Sequence, residues 1–173
     1  KLFKYNNVRM LFIPLMGAFV QGSKETYSQK QRDFILSHTL AYDFFGGTPL
    51  IVVPDNLKSA IISNNKNGIV FNENYAELSR HYNYAIEPAR PYKPKDKAKV
   101  EQGVQAIQRW ILATIRYQRF FSIDELNDAI SPLLDKYNAK IVKRFNKSRL
   151  ELFNELDLPN LQSLPKQRYI YKE

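Results

Sequence analysis

Leu50-Ile51-Val52-Val53-Pro54-Asp55-Asn56 is the stretch on which the fold class turns. Four apolar residues, three of them β-branched, suit a short strand buried on both faces, and Pro54-Asp55-Asn56 ends it because proline donates nothing to a ladder. A strand apolar on both faces needs helices to cover it, and helical spacing flanks it on either side. Upstream, from Gln29, the residues Phe34, Ile35, His38, Thr39, Ala41 and Tyr42 recur at that spacing, and Gly46-Gly47 supplies a C-terminal stop. Downstream, a helix is expected around Tyr75 to Tyr84, followed by extended chain from Ala85 to Pro88. Between strand and helix the apolar residues predict a short helix through Leu57 to Ile62, then a polar loop from Ser63 to Gly68. Strands alternating with helices make an α/β domain.

Further out, residues 8 to 20 are apolar enough for another buried strand, and Ser23 to Ser28 read as a partner strand after the Gln21-Gly22 turn. The run Met10 to Val20 behind Lys1 and Lys4 has the outline of a leader, but Pro14 and Gly17 interrupt it, and a bilayer span needs about 20 apolar residues. A buried strand fits it better, and a first residue of Lys leads us to expect a piece of a longer protein. Toward the C terminus, Pro88-Ala89-Arg90-Pro91-Tyr92-Lys93-Pro94 breaks the chain before its longest helical pattern. There Val100, Val104, Ile107, Ile111 and Ile115 share one stripe, and Trp110 lies close enough to it to be expected in the core. Ser122-Ile123-Asp124-Glu125 matches a capping box, opening a helix that Pro132 is expected to interrupt. Beyond Lys140 the chain is basic and contains Pro159 and Pro165. The expected division is a core over residues 1–139, lacking its first strand, and a basic extended arm over 140–173.

Composition narrows the function classes. The 173 residues suit one domain with a tail, and 44% hydrophobic with 13% aromatic content excludes a disordered chain. A net charge of +9 favours a polyanionic partner, since clustered positive charge gains free energy by releasing counterions from nucleic acid. The absence of cysteine excludes disulfides and thiolate zinc sites. No Gly-rich phosphate loop and no solenoid period is visible, and His38 and His81 lack metal-ligand spacing, so both read as structural.

Two acids stand out. Asp55 follows a strand end, where α/β sheets place ligand-binding groups, although Pro-Asp-Asn alone is an ordinary turn. Glu101 follows after 45 intervening residues, in a helix carrying Lys95, Lys97 and Lys99; alone, it reads as an exposed i, i+4 pair with Lys97. Together they form part of a set suited to phosphodiester chemistry, because hard divalent cations prefer oxygen ligands and two such ions stabilise the attacking and leaving oxygens. No acid precedes Glu25, so the first strand contributes none.

Longer strings narrow the reading. Val53-Pro54-Asp55-Asn56-Leu57-Lys58-Ser59-Ala60, Pro88-Ala89-Arg90-Pro91 and Pro94-Lys95-Asp96-Lys97-Ala98-Lys99-Val100-Glu101 resemble the catalytic domain of IstA-type insertion-sequence transposases. So do Gln108-Arg109-Trp110-Ile111-Leu112-Ala113, Phe120-Phe121-Ser122 with Glu125-Leu126-Asn127, and Ser148-Arg149 with Leu152-Phe153. The resemblance implies a ribonuclease-H-like, retroviral-integrase-like core with a central mixed sheet flanked by helices. It implies an Asp-Asp-Glu triad in which Asp55 is the second Asp and Glu101 the Glu, the first Asp being expected upstream of Lys1 rather than at Asp33 or Asp43.

From this we expect a metal-dependent polynucleotidyl transferase that cleaves transposon ends and joins them to target DNA. Asp55 and Glu101 would ligate Mg²⁺ or Mn²⁺ in a two-metal site, and Lys58, Arg90, Lys93, Lys95, Lys97 and Lys99 would hold DNA phosphates. The implied partners are transposon and target DNA, further copies of the chain on that DNA and a helper ATPase, in a bacterial cytoplasm near the nucleoid and without a membrane. Two alternatives stay open: a nuclease of the same fold that cuts without joining, and a non-catalytic DNA-binding or assembly fragment.

Overall fold

A computed structural model describes residues 27–54, 60–65, 68–87 and 98–172, with the side chains of 27–30 and 98–101 outside the description. The strands expected over residues 8–20 and 23–26 lie outside it. The chain divides into two compact units, Lys1–Lys93 with Asn160–Glu173, and Pro94–Pro159.

In the first unit, α1 (Tyr27–Phe45) turns Gln31, Ile35, Thr39 and Tyr42 inward at spacings of three and four. Residues 27 and 28, expected to close a strand, begin this helix instead. It ends as the glycines predict: Gly46 takes φ 71°, its N–H bonds the Asp43 carbonyl, and the Gly47 N–H bonds the Tyr42 carbonyl, a Schellman motif. The strand β1 (Ile51–Val52) follows, with Val52 buried.

Residues 57–59 of the expected helix lie outside the described residues, but where it was to reach Ile62 and a polar loop to run from Ser63 to Gly68, there is an antiparallel hairpin, β2 (Ile61–Asn65) and β3 (Gly68–Phe71). Ile69, Val70 and Phe71 supply a partner for Ile61, and cross-strand pairing overrides the local polarity of Ser63, Asn64 and Asn65. The helix α2 (Glu73–Tyr82) stops at Asn83, whose φ of 56° repeats the left-handed ending, and β4 (Ala85–Ile86) then pairs with β1 in parallel. Its core joins Ile35, Tyr42, Val52, Ile61, Tyr75, Leu78, Tyr82 and Tyr84. Tyr75 and Leu78 are fully covered, each gaining roughly 1.5–3 kcal/mol over exposure.

In the second unit, α3 (Ala98–Ile107) runs through a π-helical turn at Gln108–Leu112 into α4 (Ala113–Ile115), burying Ile107, Ile111 and Ile115. Trp110 is not in the core: it stands 54% exposed, because the wider π turn shifts the phase of the stripe. Next, α5 (Ile123–Ala139) is capped by the Ser122 hydroxyl, which accepts from the Glu125 N–H at 3.1 Å. Glu125 reaches back to the N–H of Phe121, one residue short of the box expected. Pro132 does not interrupt α5, since half-buried Leu126, Ile130, Leu133 and Tyr137 keep one face packed through it.

Residues 140–173 are not an extended arm. A hairpin of β5 (Ile141–Val142) and β6 (Lys147–Ser148) leads into α6 (Arg149–Leu152), a second π-helical turn (Phe153–Asp157) and a short 3-10 turn (Leu158–Asn160). The remainder returns to the first unit, where Gln162 bridges Thr48, Arg168 pairs with Asp43 and Tyr169 donates to Glu77 at 3.0 Å. Gln162 and Tyr169 find partners far along the chain that no local pattern announces. Among the described residues the strands make three two-stranded sheets, one parallel and two antiparallel, rather than one central sheet.

Candidate functional site

The parallel pair sets the first unit's candidate edge. The Ala85 N–H donates to the Leu50 carbonyl at 2.9 Å and the Glu87 N–H to the Val52 carbonyl at 3.0 Å, so both strands run to the same end. Ligands of α/β sheets collect at such carboxyl ends. Val52 and Pro54 are buried and anchor the chain there. Asp55, the next residue, lies outside the described residues, as do Lys58, Arg90, Lys93, Lys95 and Lys97. Glu87, exposed just past β4 at the same end, is an acid that the sequence marks only by its position after an extended segment.

Beneath this edge lies an aromatic core. His38 stands 4.6 Å from Phe34 and 5.3 Å from Tyr75 between ring centroids. Its Nδ1 lies 2.8 Å from the Phe34 carbonyl, which requires an N–H there, and leaves Nε2 to accept from the Tyr75 hydroxyl at 3.3 Å. Burial lowers its pKa against the opposing pull of that carbonyl, so the ring is neutral. Burial likewise pushes the Tyr42, Tyr75 and Tyr84 hydroxyls far up, keeping them uncharged. His81 Nε2 donates to the Gln167 carbonyl at 2.8 Å. Each histidine thus holds a backbone carbonyl.

In the second unit, Glu101 and Lys99 lie in α3, and their side chains lie outside the description. That helix is held by the buried row of Ile107, Ile111 and Ile115 further along. Among the described residues, no three His, Asp or Glu side chains gather as metal ligands. What the described part of this unit does gather is positive charge on aromatic rings: Lys140 Nζ stands 3.5 Å from the Trp110 ring centroid.

No family model matches the chain. It is 39% identical over 165 residues, 94% of its length, to a Sinorhizobium fredii protein named as transposase y4uI. A Burkholderia multivorans protein named as the transposase of insertion sequence IS408 is 42% identical over 92% of the chain. The transposase of insertion sequence element IS21 from Pseudomonas aeruginosa is 31% identical over 84% of it. The chain spans only 32%, 31% and 35% of these proteins, about a third of each. Among solved structures, a chain of the simian T-cell lymphotropic virus intasome in complex with PP2A regulatory subunit B56 gamma matches with a TM-score of 0.57. It does so at 16% identity, covering 87% of this chain and 48% of that one. At that identity the likeness concerns fold.

Proposed function

We propose that this chain, whose homologues are insertion-sequence transposases, carries part of the catalytic domain of an IstA-type transposase and works in DNA strand cleavage and strand transfer. The observation that supports this most is the relationship to transposase y4uI over 94% of the chain, and the likeness to an intasome chain agrees with it in fold. On this reading the fold is the ribonuclease-H-like one, with Asp55 and Glu101 as two of three metal-binding acids and the remaining Asp upstream of Lys1.

The donor set suits Mg²⁺ or Mn²⁺, since both acids offer the oxygen ligands that hard cations take. A bound ion pair supplies stabilisation of the attacking and leaving oxygens. On this reading the residues themselves do the holding: Asp55 and Glu101, the latter in α3, take the ions, and Lys58, Arg90, Lys93, Lys95, Lys97 and Lys99 neutralise phosphates. Transposon ends, target DNA, further copies of the chain and a helper ATPase are the partners this reading carries, at the bacterial nucleoid. No helix among the described residues is long and apolar enough to cross a membrane.

The test is DNA nicking and joining in Mn²⁺ by a longer chain extending upstream of Lys1, beside its Asp55→Asn and Glu101→Gln variants. Activity lost in both, with folding intact, is the expected result. Activity unchanged in either removes that residue from the mechanism and favours a binding or assembly role. Nicking without joined product on supercoiled plasmid favours the nuclease alternative.

A further inference from the structure

Residues 136–150 carry Lys136, Lys140, Lys143, Arg144, Lys147 and Arg149 and no acid. Two of these six are committed within the second unit. Lys147 pairs with Glu155 at 2.6 Å, and Arg149 donates to the Tyr137 carbonyl at 3.3 Å with its guanidinium 4.1 Å from that ring centroid. They brace the base of the β5–β6 hairpin. Lys140, Lys143 and Arg144 are exposed, and none pairs with a carboxylate among the described residues.

Two of these three, Lys140 and Arg144, are nonetheless steered by aromatic rings, and Lys143 sits on the same fixed turn. The tip between the strands is fixed by the N–H groups of Phe145 and Asn146, which both donate to the Val142 carbonyl at 2.9 and 3.0 Å, with Asn146 at φ 51°. Arg144 stands 5.4 Å from the Phe145 ring centroid and Lys140 3.5 Å from that of Trp110. An aromatic face steers a cation without neutralising it, and a long side chain already steered loses less rotamer freedom on meeting a ligand. A carboxylate partner would have consumed the same charge. Trp110 stays exposed at the surface as the platform for Lys140.

We infer that this hairpin, with Lys140 on Trp110, is a docking site for the phosphate backbone of duplex DNA, made of residues other than those proposed above to hold phosphates. The choice of DNA over another polyanion rests on the proposed transposase function. The geometry supplies the rest: a fixed turn carrying two adjacent cations, with a third cation stacked on Trp110 just before β5. Cations placed this way position a duplex without reading its sequence.

The test measures binding of the full 173-residue chain to a fluorescein-labelled duplex of arbitrary sequence by anisotropy, across a salt series. A Lys143→Ala, Arg144→Ala double variant should bind about tenfold more weakly near physiological salt. Its log-log salt slope should be shallower by about two, roughly one unit for each phosphate left without its cation. A Lys166→Ala, Lys172→Ala variant removes equal charge from the first unit and should bind like the parent. Trp110→Ala keeps every charge, and should still weaken binding about threefold by releasing Lys140. The inference is overturned if the parent does not bind DNA, if the hairpin variant keeps the parent's affinity and slope, or if both double variants weaken binding equally. Unchanged binding by the hairpin variant, beside loss of nicking in the Asp55 and Glu101 variants, would sink this inference and leave the transposase reading standing.

Discussion

Thr48 and Gln162 exchange two backbone hydrogen bonds, 3.0 Å from the Thr48 N–H and 2.8 Å from that of Gln162, closing residues 160–172 onto the turn after α1. The Gln162 side chain adds a reciprocal pair with Asn83, donating to its carbonyl at 2.8 Å and accepting from its amide at 3.0 Å. The fit leaves no room at Gly47, where a Cβ would fall 2.7 Å from the Leu161 Cβ and 2.8 Å from the Gln162 carbonyl. Gly47→Ala should therefore cost about 1–3 kcal/mol, as overpacking does. Gly46→Ala meets no atom within 4 Å but must hold φ 71°, and should cost about 1 kcal/mol through backbone strain alone. Urea melts of the two variants check this. Deleting residues 161–173 should remove the difference between them, and a persisting gap would mean Gly47 matters for another reason.

His38 predicts an acid weakness. Its folded-state pKa lies below the usual 6.5 because burial disfavours the charged ring. The unfolded chain then binds more protons, so the stability His38 contributes is complete above about pH 6.5 and falls as pH drops below it. His38→Gln should melt lower at pH 7.5 for want of the aromatic packing, yet lose less on going to pH 5 than the parent. Parallel pH profiles for parent and variant would refute the assignment.

The legible and illegible parts of this fold divide on physical lines. The end of α1 was readable because glycine tolerates the left-handed region that Gly46 occupies, and the start of α5 because Ser122 caps within three residues. Those are local signals. The β2–β3 hairpin was not readable, since Ser63, Asn64 and Asn65 are polar and take their strand geometry from Gly68 to Phe71. Trp110 escapes the periodicity because a π turn breaks the 3.6 period that sets it near the buried stripe. The return of Gln162 and Tyr169 depends on partners far away along the chain. At the candidate site, Asp55 and Glu101 were singled out by residue type and string resemblance, whereas the Lys140–Trp110 pair needs two elements brought together in space.

Pro132 is a site for gain. Within α5 it has no N–H to give the carbonyl one turn earlier, and its ring is exposed. Pro132→Ala should stabilise the second unit by about 1–3 kcal/mol, the upper end being the helix-propensity gap between the two residues. Hydrogen exchange at the α5 amides should slow. Unchanged or faster exchange would show that the proline's restriction of the unfolded chain outweighs the missing bond.

The cap at α6 should be sensitive from both ends. Glu151 donates its N–H to the Ser148 hydroxyl at 3.1 Å, and its carboxylate accepts from the Ser148 N–H at 2.6 Å. Those bonds to Ser148 hold the Glu151 carboxyl below the usual range. Ser148→Ala should cost about 1 kcal/mol and allow the Glu151 pKa to rise, while Ser148→Asp should largely restore the cap. Carboxyl chemical shifts across a pH titration check it; a Glu151 midpoint unmoved in Ser148→Ala would assign the lowering to the backbone N–H of residue 148, which the variant keeps, and not to the hydroxyl.

Metal removal should separate the two functional proposals. Nicking by the longer chain depends on carboxylates that act through bound ions, so chelation should abolish it and added Mn²⁺ should restore it. Docking by the hairpin depends on Lys140, Lys143 and Arg144, which need no ion between themselves and a phosphate. Duplex affinity at fixed ionic strength should therefore change less than about twofold when the metal is chelated. It should fall by the same factor in the Lys143→Ala, Arg144→Ala variant with or without metal. Were chelation to weaken the parent as much as that double substitution does, the phosphates would be held mainly through the carboxylates and their ions, and the hairpin would lose its role.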